Sequence, residues 1–517
     1  MNKIDLNSEF KKAIDLMENS SENLFITGKA GTGKSTLLDY FRSKSKKSVI
    51  VLAPTGVAAL NVKGETIHSF FRFKPEVTIE DAKKSGHIVD EELFKKIDAI
   101  VIDEISMVRA DLMDHIDTVL KIVLKNKKPF GGMQMIMIGD LYQLPPVVKG
   151  EDRKFFQTHY KSPYFFDCNA FTHTKFKLKI IELEKIYRQK DPAFIELLNA
   201  IRNKDITENH IKALNKRFDD DFKKDDGYIY LTTINKTADE INHKKLISLH
   251  GKVHQFTAKV KGEFAANQFP TDLELKLKKK AQIMFLNNDA AGRWVNGSIG
   301  KVIGFGTTDE GQPCVVVELE EDKNIVEVTE HKWQVYRSIY DKKAKVLEKE
   351  SIGSFSQIPL RLSWALTIHK SQGKTFDKVI IDFGRGTFTH GQSYVALSRC
   401  RTFEGMVLKK MLKKNHVIMD WRVSKFLTDY QYEKSARKCS TKDKVSMIKK
   451  IIKKKSKMKI VYLKTKNIKS KRILQPSFVG ELEYAGKTYL GMEAFCLLRK
   501  AERVFRVDRI LEIEEIT

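Results

Sequence analysis

From Leu24 to about Leu183 short apolar runs alternate with longer stretches of helical character. Leu24-Phe25-Ile26-Thr27, Val49-Ile50-Val51-Leu52, Ile100-Val101-Ile102 and Met135-Ile136-Met137-Ile138 are unbroken, as strands buried on both faces must be. The alternation predicts an α/β fold with a doubly wound parallel sheet. Tyr228-Ile229-Tyr230-Leu231, Ile283-Met284-Phe285-Leu286, Leu362-Ser363-Trp364-Ala365-Leu366 and Val379-Ile380-Ile381-Asp382 repeat the pattern and predict a second lobe of the same class. The expected lobes are 1–183 and 184–432. Between Gly300 and about Ser354 the runs shorten and alternate, which predicts a small antiparallel β insert over about 300–354. The polar stretch Asp81 to Lys96 marks a smaller insert in lobe one, bounded at about 60–97. A Lys-dense stretch follows Met411 and reads as a connector over 433–459, carrying Lys434, Lys444, Lys449, Lys450 and Lys453 among others. Apolar and aromatic residues return over 460–517, as a small separate domain.

Gly28-Lys29-Ala30-Gly31-Thr32-Gly33-Lys34-Ser35 follows the first run and opens a predicted helix, the setting a phosphate-cradling loop requires. Gly28, Ala30, Gly31, Thr32 and Gly33 would turn backbone N–H groups toward a polyphosphate, with Ser35 and Thr36 at the helix start. Lys34 would reach the β and γ phosphates of ATP, and the Ser35 hydroxyl would hold Mg²⁺. Ala99-Ile100-Val101-Ile102-Asp103-Glu104 delivers two carboxylates to a strand end. Asp103 suits a second Mg²⁺ contact through water, and Glu104 suits the base that deprotonates the attacking water.

Lys and Arg number 93 against 66 Asp and Glu, a formal net charge of +27, so a polyanion is the expected partner. No apolar run approaches the roughly 20 residues of a bilayer span, and Met1-Asn2-Lys3-Ile4-Asp5 lacks a signal-peptide core; a cytoplasmic location with no membrane partner is expected. Cys168, Cys314, Cys400, Cys439 and Cys496 are scattered, which predicts reduced thiols and no structural metal.

Seven further blocks stand in a telling order: Ala53-Pro54-Thr55-Gly56-Val57-Ala58-Ala59, Gly64-Glu65-Thr66-Ile67-His68-Ser69-Phe70, Ile102-Asp103-Glu104-Ile105-Ser106-Met107-Val108, Gly139-Asp140-Leu141-Tyr142-Gln143-Leu144-Pro145-Pro146-Val147, Tyr187-Arg188-Gln189, Thr367-Ile368-His369-Lys370-Ser371-Gln372-Gly373 and Tyr394-Val395-Ala396-Leu397-Ser398-Arg399. In them the chain resembles the superfamily-one B-type helicases, and more narrowly the Pif (petite integration frequency) group related to RecD-type helicases. The resemblance covers roughly residues 1 to 410. It implies two RecA-like lobes with an SH3-like insert in lobe two, and an ATP-driven monomer that moves 5′ to 3′ on single-stranded DNA and separates partly duplex DNA. Arg188 and Arg399 are then arginine fingers, a role that suits a planar fork for phosphate oxygens. Gln143 would link the γ phosphate to the DNA track, and Gly373 would lie on the nucleotide side. Pro54, Thr55, Gly56, His68 and Ser69 in lobe one, with Thr367, His369, Lys370 and Ser371 in lobe two, match positions that grip the strand backbone. One departure stands out: Phe10 occupies the place where relatives carry an adenine-reading Gln.

The tail has a separate resemblance. Ile460-Val461-Tyr462, Arg472-Ile473-Leu474-Gln475-Pro476, Tyr489-Leu490, Phe495-Cys496-Leu497-Leu498-Arg499 and Arg503-Val504-Phe505-Arg506-Val507-Asp508-Arg509-Ile510 look like a WYL domain, a β-rich Sm-like module, with Thr488 at the signature Trp. Arg472, Tyr489, Arg499, Arg503 and Arg506 suit a nucleotide or single-stranded nucleic acid ligand through stacking and charge, with Phe495 and Phe505 expected in the core. The reading that follows is a DNA helicase. A DNA-stimulated translocase without strand separation and a ligand-sensing DNA-binding regulator are its alternatives.

Overall fold

The computed structural model describes residues 5–74, 76–148, 150, 152–223, 227–341, 346–384, 386–464, 468–484 and 486–516. The chain divides into two units, Met1–Ile201 with Ile206–Ile418, and Arg202–Asp205 with Met419–Thr517.

In the first unit the early apolar runs form a six-stranded sheet. Its spatial order is Glu65–Thr66, Val49–Ala53, Ala99–Ile102, Gln134–Ile138, Asn23–Gly28, Leu178–Leu183, and every pairing is parallel. Helices Ser8–Asn19 and Lys34–Lys44 cover it through Phe10, Met17, Leu37 and Phe41, in one core with Leu24, Ile26, Val101 and Ile136. The order sets the phosphate-loop strand and the Asp103 strand one strand apart, with their carboxyl ends on one sheet edge. That is about 10 Å, two interstrand spacings. A second parallel sheet runs Ala365–Thr367, Ile229–Thr232, Val379–Asp382, Met406–Leu408. Both are parallel sheets typical of RecA-like lobes.

One strand expected in the second lobe's sheet belongs elsewhere. Gln282–Phe285 pairs antiparallel with Ile299–Thr307 and Leu360–Leu362, in a five-stranded sheet completed by Pro313–Leu319 and Ile325–Val328. The apolar run says that the strand is buried, and its direction is set by the link that follows. That link, from Leu286 to Ser298, carries turns and no helix, so the chain returns antiparallel. With Lys259–Gly262, His331–Asp341 and Val346–Gln357 in a three-stranded sheet, and His254–Thr257 with Glu274–Leu277 in a two-stranded one, the β-rich region reaches from His254 to Leu362, well beyond 300–354. The polar stretch of lobe one forms helices Ile79–Ile88 and Glu91–Lys95.

The second unit is a five-stranded antiparallel sheet in the order Ala501–Arg506, Lys487–Cys496, Ile468–Tyr484, Lys457–Lys464, Ile510–Ile516, with helices Trp421–Lys438 and Thr441–Lys454. The Lys-rich segment is therefore no connector. Ser440 and Asp443 form a capping box at the start of Thr441–Lys454. Val445, Ile448, Ile451 and Ile452 then recur at helical spacing between the lysines and pack on Met458, Ile460, Leu474 and Ile510. Lys444 is only 2% exposed and donates to Ser435 Oγ at 2.8 Å and to the Ile510 carbonyl at 2.7 Å. Phe505 is core at 6% exposed, whereas Phe495 is 39% exposed, because strand alternation buries its neighbours Ala494 and Cys496 instead. Among the described residues no helix is long and apolar enough to cross a membrane.

Candidate nucleotide and DNA site

The phosphate loop leaves the buried strand Asn23–Gly28 and enters helix Lys34–Lys44 through Gly33, which caps it at φ +83°. A Cβ on Gly28 would lie 2.6 Å from Thr32 Oγ1, and one on Gly31, at φ +78°, 2.4 Å from Arg188 Cβ. The loop is thus a cradle closed to side chains, and its donors are backbone N–H groups and Lys34, a set that fits a triphosphate. The Lys34 ammonium donates to the Gly28 and Lys29 carbonyls at 2.8 and 3.1 Å, within the loop. Thr32 turns both its hydroxyl and its N–H to the Lys29 carbonyl, at 2.9 and 3.3 Å, which tightens the loop. Ser35 and Thr36 are exposed at the helix start.

Burial, reinforced by the adjacent Glu104 carboxylate, pushes Asp103 up to about 7, against the pull of Lys34. Burial raises Glu104 as well, opposed by Lys34, a Gln372 hydrogen bond and Arg399. Two desolvated acids next to a lysine, with an exposed serine hydroxyl on the same loop, are a donor set that fits Mg²⁺. Glu104 sits at φ +49°, a left-handed conformation costly for a non-glycine residue and characteristic of constrained functional positions. Gln143 is 6% exposed and lies in its own loop, where it donates to Asp140 Oδ2 at 3.4 Å.

Lobe two brings its cations to the same place. Arg399 is 1% exposed and spends its fork on the Val395, Ser371 and Lys374 carbonyls at 2.8, 3.4 and 3.1 Å and on Ser398 Oγ at 2.9 Å. Burial, then repulsion from Arg188, pushes it down to about 9. Arg188 donates to the Ser398 carbonyl at 3.1 Å. The structure thus brings Lys34, Asp103, Glu104, Arg188 and Arg399 within electrostatic reach of one another.

Residues that sequence reasoning passed over hold this arrangement together. Gln372 Nε2 donates to Glu104 Oε2 at 3.0 Å, and the Ala30 N–H donates to the Tyr394 hydroxyl at 2.9 Å. Gln189 Nε2 donates to the Ser398 and Cys400 carbonyls at 3.2 and 2.9 Å. All three lie inside the motif blocks: Gln372 and Gln189 directly follow a residue that was singled out, and Tyr394 stands five places before Arg399. Their signal was the block itself. Phe10 is core, its ring 3.0 Å from where a Gly33 Cβ would be, so it cannot read a base. Asn7 caps that helix and donates to the Tyr187 hydroxyl at 3.2 Å, beside the loop. Gly373, at φ +78°, has open space where a Cβ would be.

The expected DNA contacts separate into two kinds. Thr55, His369 and Lys370 are exposed, and Pro54, Gly56, His68 and Ser69 partly so. Thr55 also caps helix Gly56–Asn61 by accepting from the Ala58 N–H at 3.2 Å. His68 is packed edge-on to Phe73, and burial lowers its pKa. Thr367 and Ser371 are buried; Ser371 donates its hydroxyl to the Ile368 carbonyl at 2.8 Å, and Thr367 Oγ1 accepts from the Lys370 N–H at 3.4 Å. These two shape the turn that presents His369 and Lys370. In the second unit Arg506 lies over the Tyr489 ring, 5.6 Å from its centroid, and pairs with Asp508 at 2.6 Å. Strand alternation sets Arg503 on the opposite face from Arg506, while Arg472 and Arg499 lie in a different strand and in the turn after Cys496.

Comparison with known proteins agrees with both parts. Residues 5–212 match the PIF1-like helicase family model, and residues 443–515 match the WYL domain. The Rattus norvegicus ATP-dependent DNA helicase PIF1 is 34% identical over 416 residues, 77% of this chain and 60% of that protein. The chain thus spans about 60% of the length of that curated relative. The crystal structure of Bacteroides sp Pif1 in complex with ADP-AlF4 is 37% identical with a TM-score of 0.75, covering 83% of this chain and 98% of that one. Bacteroides Pif1 bound to ssDNA is 36% identical with a TM-score of 0.59 over the same shares.

Proposed function

Since the chain belongs to the PIF1-like helicase family, with a C-terminal WYL domain, we propose that it is an ATP-dependent DNA helicase that moves 5′ to 3′ on single-stranded DNA and unwinds duplex. The observation that carries the reading is the convergence of Lys34 and Glu104 from one lobe with Arg188 and Arg399 on a single glycine-walled cradle. A protein that only binds DNA has no use for that set. A Pif1 relative complexed with ADP-AlF4 and another bound to ssDNA support the choice of substrates.

In this reading the cradle N–H groups and Lys34 hold the β and γ phosphates, Glu104 takes the proton of the attacking water, and Arg188 and Arg399 meet charge that develops on the transferred group. Ser35 and Asp103 would hold Mg²⁺, which when bound neutralises phosphate charge. Thr55, His68, His369 and Lys370 contact sugar and phosphate without reading sequence. The Arg506–Tyr489 pair supports a nucleotide or single-stranded nucleic acid ligand for the WYL domain.

Strand displacement on 5′-tailed and 3′-tailed duplexes with ATP and Mg²⁺ tests the reading. Unwinding of the 5′-tailed substrate alone, abolished by Lys34→Ala with single-strand affinity retained, is expected. Unwinding from 3′ tails would reverse the direction, and stimulated ATPase without displacement would favour the translocase.

A further inference from the structure

Beyond the buried Ser371 the chain carries a cation that no motif assigns. The Lys374 N–H donates to the Ser371 carbonyl at 3.1 Å, and the Lys374 carbonyl accepts from Arg399 Nη1 at 3.1 Å, so its main chain is fixed to the catalytic side. Its ammonium is committed elsewhere. It donates to Asn296 Oδ1 at 2.7 Å, and Asn296 Nδ2 donates to Asn61 Oδ1 at 3.2 Å. Asn61 ends the helix that Thr55 caps. A line of polar groups therefore runs from the segment that follows the His369–Lys370 turn of lobe two to the C-terminal end of helix Gly56–Asn61 in lobe one.

Arg361 is the second cation there. It lies in strand Leu360–Leu362 and donates to the Pro270 carbonyl at 2.9 Å. Burial and the charge of Arg361 together push the Lys374 ammonium down to about 8. Among the described residues neither cation has a carboxylate within ion-pair distance; Asp272 and Asp239 act on Arg361 only from further off. Two like charges drawn partly out of water without a counter-charge cost stability. A site that binds a polyanion gains from that same arrangement, since the ligand supplies the missing charge.

We propose that Lys374 and Arg361, with Asn296, form a phosphate-contact subsite for the backbone of a single DNA strand, adjoining His369 and Lys370. The subsite rests on the reading of this protein as a single-strand-binding motor. It contacts phosphate and reads no base. Because the Lys374 carbonyl holds Arg399, a phosphate drawn to the ammonium also acts on the segment that positions the finger.

Anisotropy of a labelled oligothymidylate, measured across a salt series, tests it with the full chain. Lys374→Met is expected to weaken binding about tenfold at low salt and to lower the log–log salt slope by about 0.7, the share of one phosphate on a single strand. Its melting temperature should not fall, because a strained charge is exchanged for an apolar stem; a lysine with a purely structural role would instead lose stability and leave the slope alone. Asn296→Asp offers a second route that keeps the lysine, neutralising it in place, and the same loss of slope is expected. Wild-type affinity and slope in both variants would overturn the subsite and leave the motor reading standing. Failure of the wild-type protein to bind single strands would remove both.

Discussion

Gln372 and Glu104 are joined across the two lobes by a 3.0 Å hydrogen bond from Nε2 to Oε2. One partner is the proposed general base; the other follows directly on the turn that carries His369 and Lys370. If that turn binds a strand as proposed, its movement is expected to reach the carboxylate, which already sits in a constrained left-handed backbone conformation. Gln372→Ala should lower single-strand-stimulated kcat by about 10- to 100-fold, up to the lower end of the roughly 10²–10⁴-fold that general-base catalysis contributes, with a smaller change in KM for ATP. Steady-state ATPase at saturating oligonucleotide checks it; an unchanged kcat would show that the bond does not position the base.

Arg399 and Arg188 should each matter as fingers do. Alanine at either position is expected to cost about a thousandfold in stimulated turnover, and the double variant little more, because both act in one closed state. Arg399→Lys should not rescue. The guanidinium fork serves four acceptors at once, Val395, Ser371, Lys374 and Ser398, and a single ammonium cannot reproduce that geometry.

Gly31→Ala isolates the contact between the cradle and Arg188. The new Cβ would meet Arg188 Cβ at 2.4 Å from a residue at φ +78°, so backbone strain and a displaced arginine arrive together. Loss of about 1–3 kcal/mol of stability is expected. Stimulated ATPase should fall much further than affinity for a fluorescent ATP analogue, and equal losses would mean that Arg188 was not displaced.

How far these relations could be read in the chain depends on their range. The phosphate loop, the Asp103-Glu104 strand and the two parallel sheets were legible because buried strands and glycine turns are local patterns. Gln282–Phe285 was misplaced since an apolar run does not encode pairing direction, which the link to Ile299 decides. The Lys-rich helix was misread because charge density obscured Ile448 and Ile451 at helical spacing. Cross-lobe partners such as Gln372 and Glu104 are 268 residues apart, and only the fold joins them.

Lys374 gives a pH dependence with a definite sign. Its folded-state pKa, about 8, lies below its ordinary value of 10.5, so the charged lysine costs stability in full below about pH 8. The cost is relieved as pH rises from about 8 toward 10.5, where the folded protein gives up the proton first. The melting advantage of Lys374→Met over wild type should be largest near neutral pH and shrink toward pH 9.5. Thermal unfolding of the pair across that range decides it, and an advantage that grew with pH would contradict the assignment.

Truncation tests the boundary of the second unit. A cut at Lys459 keeps helix Thr441–Lys454 and removes most of the sheet it packs on, exposing Ile448 and Ile451 and leaving Lys444 without the Ile510 carbonyl. Full burial of each isoleucine contributes about 1.5–3 kcal/mol, so that fragment should aggregate or be clipped back by protease. A cut at Ile418 follows the division of the chain and leaves no such face exposed from this core. Residues 1–418 retain every residue proposed for the ATP site and for both sides of the DNA track, so single-strand-stimulated ATPase should stay within a small factor of the full chain. Size-exclusion chromatography and limited proteolysis compare the two fragments. A soluble, protease-resistant 1–459 fragment would mean that the Lys-rich helices do not need the sheet, and would return them to the role of a connector.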